Sequence, residues 1–66
     1  MTTNHEAAQS AIYHIESMER KLKLLKQYIN PQAGVVVDED IVKNLVNGVD
    51  EEITDLSLDV ERILWS

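Results

Sequence analysis

The sequence predicts an all-α chain, an antiparallel two-helix hairpin of coiled-coil type that pairs with a second copy into a four-helix bundle. Three observations carry this expectation. Apolar residues recur three and four positions apart through two long segments. One short stretch holding a proline and a glycine separates them. The charges of the two segments are unequal: residues 1–30 carry four basic and three acidic side chains, residues 31–66 two basic and nine acidic.

In the first segment, Ala8, Ala11, Ile15, Met18, Leu22, Leu25 and Ile29 mark the repeat; in the second it is Val42, Val46, Val49, Ile53, Leu56, Val60 and Ile63. Spacings that alternate between three and four put each set on one helical stripe, the seam of a coiled coil. A strand needs alternation along the chain, and neither segment shows it. The expected organisation is a single hairpin domain over residues 1–66, with a helix at about 4–29, a loop at 30–38 and a helix at about 39–64.

The ends agree with this reading. Thr3 or Asn4 suits the first N-cap. Pro31 stops the first helix, because it has no N–H to extend the ladder and steers Asn30 away from the α region. Asp38 suits the second N-cap, with Glu39 and Asp40 in the positive first turn. Val37 and Val42 then have the spacing of a hydrophobic staple, and Gly34 supplies the backbone angle that reverses the chain. A loop this short makes the helices antiparallel neighbours. Pairing Ile29 with Val42 sets Lys21 opposite Glu52 and His14 opposite Asp59. On the other flank, Lys26 meets Lys43 and Glu19 meets Asp50, like charges in both cases.

Such a ribbon is small for a self-sufficient core. The chain has no cysteine for a disulfide or a thiolate zinc site. Further burial is therefore expected at an oligomer or partner interface. Leu24 and Tyr28 lie beside Ile41 and Leu45 on one flank, and Gly48 next to them permits close approach of another backbone. Val35 and Val36 are near enough to fold over this patch or extend it. A smaller apolar spot, Ile12 and Leu64, lies on the opposite flank. A homodimer is expected, because symmetric pairing is the common solution for hairpins.

No catalytic constellation emerges, and the chain is expected not to be an enzyme. Ser10 and His14 are one turn apart, but no acid orients them and two helices offer no cleft. His5 and His14 have the wrong spacing for one metal, and the acids at 38–40 lack the turn glycine of a calcium loop. No cofactor is expected. Apolar residues occur in ones and twos outside the three valines, so no membrane span is expected. The first ten residues lack the charged start and apolar block of a signal peptide, so a cytoplasmic protein is expected.

Two charged clusters remain. Glu51, Asp55 and Asp59 repeat every four residues, with Glu52 close by. That spacing costs helix stability, and a partner with a basic surface would relieve it. The leading expectation is thus a protein-binding regulator or adaptor. Alternatively, Arg20, Lys21, Lys23 and Lys26, doubled in a dimer, would grip nucleic-acid backbone. In size and organisation this arrangement resembles the Rop-type plasmid regulators, hairpins of similar length that dimerise and hold paired RNA loops. No residue motif is shared, and no site is carried over from them. A purely structural oligomerisation module is the third reading.

Overall fold

The computed structural model describes residues 4–65. Two long helices, α1 (His5–Gln27) and α2 (Glu39–Trp65), pack against each other and are joined by a two-stranded ribbon, β1 (Ile29–Asn30) and β2 (Val35–Val36). The result is a rod 51 Å long and 14 Å across in each other direction.

Asn4 caps α1, its side-chain carbonyl accepting the Ala7 N–H at 3.0 Å; Thr3, the other candidate, lies outside the described residues. The helix ends at Gln27, several residues before Pro31. The Tyr28 N–H closes the last turn by donating to Leu25 and Lys26 carbonyls.

Within the stretch expected as a loop at 30–38, the chain forms a short antiparallel ribbon that begins at Ile29. Ile29 pairs with Val36 and Asn30 with Val35, and the Val37 N–H donates to the Tyr28 carbonyl at 2.8 Å. Within the turn, the Asn30 carboxamide oxygen accepts the N–H groups of Gln32 and Ala33. Gly34, at φ +66°, takes the left-handed conformation. Valine's β-branching suits this extended backbone. A ladder of two residue pairs is too short to need alternation, which is why the sequence pattern does not reveal it. Val35, Val36 and Val37 are each about half exposed. Asp38 caps α2 through its side chain, accepting from the Ile41 N–H at 3.4 Å, although its own φ is +60°. Aspartate tolerates that region better than most residues.

The expected register holds, and the expected rotation holds in part: Ala8, Ala11, Met18, Leu25, Val42, Val49, Leu56 and Ile63 of the seam are covered. Lys21 meets Glu52 at 2.8 Å and His14 lies 3.8 Å from Asp59. Between the helices, however, α1 presents Ala7, Ala8, Ser10, Ala11, His14, Ser17, Met18, Lys21 and Leu25, which are buried or half-buried, as is Tyr28 just past its end. On α2 the covered positions are Ile41, Val42, Leu45, Gly48, Val49, Glu52, Leu56, Asp59 and Ile63. Six residues of the expected seam, Ile15, Leu22, Ile29, Val46, Ile53 and Val60, are instead 39–51% exposed. Relative to the expected seam, the covered face of each helix is turned toward a neighbouring track, where small and polar side chains sit beside the apolar ones that stay covered.

Candidate functional site

The roll creates the most distinctive surface of the molecule. At 3.6 residues per turn, Ile15 and Leu22 stand about a quarter-turn from the middle of α1's covered face, and Val46, Ile53 and Val60 about a quarter-turn from that of α2. The rotation has the same sense on both helices. Because the helices are antiparallel, both stripes come to the same side of the rod. Leu64 extends this face toward the open end. Together these side chains expose on the order of 500 Å² of apolar surface, at the upper end of what a typical monomer shows in one patch.

The covered seam explains why the face is left open. Among the described residues, the buried apolar side chains are Ala7 and Ala11, and no large side chain is fully buried. Mid-rod, the Glu52 carboxylate accepts the Ser17 hydroxyl at 2.6 Å and the Lys21 ammonium at 2.8 Å. Donation by Lys21, then by Ser17, holds the Glu52 carboxyl below the usual glutamate range. The Lys21 side chain crosses α2 at Gly48. A Cβ there would lie 3.4 Å from Lys21 Cε and Nζ, so the lysine stem passes over the glycine on its way to Glu52. Toward the open end, Asp59 is only 5% exposed. One of its oxygens accepts from Arg62 at 3.5 Å and the other faces His14 Nε2.

These contacts redistribute the residues singled out from the sequence. Of the apolar patch, Tyr28, Ile41, Leu45 and Gly48 are half-buried. In a two-helix rod only the opposing helix and the ribbon are available to cover them. Leu24 stays exposed beside Arg20, Lys23 and Gln27 in a shallow groove. The neighbour that Gly48 accommodates is the Lys21 side chain, in place of the expected backbone. Of the acidic cluster, Glu52 and Asp59 turn inward, while Glu51 and Asp55 remain on the surface. They occupy the flank opposite the apolar face, where Asp55, Leu58, Arg62 and Trp65 border an open groove and Trp65 is 83% exposed. Of the basic cluster, Lys21 is committed to Glu52, leaving Arg20, Lys23 and Lys26 on the outer side of α1.

Ser17 and Ala7 were missed by sequence reasoning. A signal was present: residues 7, 14, 21 and 28 form a second heptad track beside the apolar one, built of small, polar and amphipathic side chains.

Among the described residues, no group of three histidine or acidic side chains is placed to hold a metal ion. No described helix is long and apolar enough to cross a membrane. No family model matches the chain, and neither does any curated protein or solved structure.

Proposed function

We propose that the chain is a non-enzymatic protein-binding regulator or adaptor that works in the cytoplasm as a homodimer of helical hairpins. The four-helix bundle is closed by the face of Ile15, Leu22, Val46, Ile53 and Val60. The observation that carries this reading is the open face itself, read together with the size of the chain. A compact monomer of 7.5 kDa exposes about 4,200 Å², whereas this rod exposes 5,239 Å². The excess, roughly 1,000 Å², is close to the ~800 Å² that each partner contributes to a stable interface.

Covering this face leaves the opposite flank free. Glu51 and Asp55, with Leu58 and Trp65 nearby, then present an acidic and partly apolar surface, suited to a partner with a basic surface. Two measurements test the proposal. Sedimentation at micromolar concentration should give the mass of a dimer, and Leu22→Asp should convert it to monomer or unfolded chain. A wild-type protein that sediments as a stable monomer would remove the dimer. A basic partner captured by the wild type should be lost on Glu51→Gln/Asp55→Asn while the dimer persists; equal capture by both proteins rules out the acidic flank. Salt-sensitive retention of RNA that depends on Arg20, Lys23 and Lys26 would favour the nucleic-acid reading instead.

A further inference from the structure

The groove on the acidic flank joins an exposed aromatic wall to a buried carboxylate that is short of hydrogen-bond donors. We infer that it seats an arginine side chain of the protein partner. This inference rests on the basic partner proposed above and names the group recognised and the residues that recognise it.

The groove encloses about 820 Å³ along the last three turns of α2, beside the first half of α1. Leu58 and Trp65 form its apolar wall and are 55% and 83% exposed. Seven positions apart, they lie on one side of the helix, two turns from each other. Asp55, Asp59 and Glu61 line the groove with three carboxylates, against the Arg62 guanidinium and the His14 imidazole.

Asp59 is the anchor. It is only 5% exposed, yet among the described residues no donor is within hydrogen-bond distance of its Oδ2. His14 Nε2 stands 3.8 Å away, too far for such a bond. Arg62 reaches Oδ1 at 3.5 Å, and its own side chain is 56% exposed. Charge-assisted bonds are ordinarily about 2.7–2.9 Å long. Glu52, the other inward-facing carboxylate, receives two donors at 2.6 and 2.8 Å. A buried acceptor short of donors is costly, and a donor entering the groove in place of Arg62 relieves that cost.

The chemistry of the wall selects which donor. A guanidinium carries five N–H groups in one plane and lies flat on an indole face. Asp55 and Asp59 are one turn apart and so are neighbours on the helix surface, within the span of one guanidinium fork. The aliphatic stem of an arginine would cover Leu58. A lysine ammonium is a compact, strongly hydrated point charge with no face to stack.

Trp65 is the chain's one tryptophan, so its indole N–H gives a single reporter signal in a nitrogen-correlated NMR spectrum. The probe is the peptide acetyl-Ala-Arg-Ala-amide, compared at constant ionic strength with its lysine and its uncharged citrulline counterparts. The arginine peptide should shift the Trp65 indole and the Asp59 amide saturably. Asp59→Asn should weaken its binding about tenfold, the loss of a charge-assisted hydrogen bond. Asp55→Asn, at an exposed position, repeats the test if circular dichroism shows the first variant to be unfolded. Arg62→Gln should tighten binding severalfold, because it removes the guanidinium that competes for Asp59. No saturable shift, equal binding of the lysine or citrulline peptide, or weaker binding to Arg62→Gln would each overturn the arginine seat. Should the seat fail while capture of a basic partner still depends on Glu51 and Asp55, the acidic flank stands and only its recognised group is wrong. Should both fail, the flank falls with the seat.

Discussion

Truncating Ile53 to alanine separates the face proposed for self-association from the rest of the surface. Ile53 is 48% exposed in the hairpin, so about half of its burial energy is still available to a second copy. Full burial of such a side chain stabilises by about 1.5–3 kcal/mol. The available half is then about 1 kcal/mol per copy, and two copies give ~2 kcal/mol per dimer. At 1.4 kcal/mol per tenfold change, Ile53→Ala should weaken dimerisation by roughly 30-fold. Leu24→Ala is the matched control, because Leu24 is 46% exposed but lies toward the opposite flank. It should leave the dissociation constant within about threefold. Sedimentation velocity across a concentration series measures both. If Ile53→Ala shifts the constant by less than threefold, or Leu24→Ala shifts it as much, the open stripe is ordinary exterior.

Three further expectations follow from the seam. The Glu52 carboxyl is held below its ordinary range in the folded chain. Its contribution is therefore fully present above about pH 4.3, the unfolded glutamate value, and is lost as pH falls through the lowered folded value. Glu52→Gln should flatten the acid side of a melting-temperature profile and leave its neutral-to-alkaline shape unchanged; an unaltered acid side would show that the Lys21 contact does not matter in solution. Gly48→Ala gains about 1 kcal/mol of helix propensity and meets only the flexible end of Lys21. It should raise the melting temperature by several degrees, whereas Gly48→Leu should displace Lys21 and lower it. A lower melting temperature for Gly48→Ala would mean that Lys21 cannot move aside.

How much of this was legible in the sequence depends on which physical signal each feature leaves. Asn4, Asp38 and Gly34 are residue types with specific backbone roles, so the helix starts and the reversal were readable from them. The register was readable because Lys21–Glu52 and His14–Asp59 are opposite in charge and long enough to reach across. The rotation was not. A three-four apolar repeat identifies the stripe that seeks burial, but it does not say whether the covering surface is the adjacent helix or another chain. Here the adjacent helix covers part of that stripe together with a neighbouring track, and Ala7, Ala11, Ser17 and Gly48 are small enough to bring the helices together. The ribbon left little trace because two residue pairs carry no periodicity.

The polar seam supplies a reason for that rotation, and one double substitution tests it. With the helices rolled as observed, Lys21 and Ser17 both donate to one oxygen of Glu52. Any other roll would either expose the pair and separate it, or bury one charge without its partner, which is costly. An apolar stripe beside a polar track thus has one way to sit against its neighbour, and the apolar stripe is left facing outward. Lys21→Leu/Glu52→Leu would make the second track apolar as well. Replacing a partly buried ion pair with well-packed apolar groups is often neutral or stabilising, so the melting temperature should hold or rise. The specificity should fall, because both tracks could then face the other helix. The double variant should therefore give a broader set of oligomers by sedimentation than the wild type. If it instead sediments as the same species as the wild type, the Lys21–Glu52 pair does not set the roll, and packing of the small residues alone must do so.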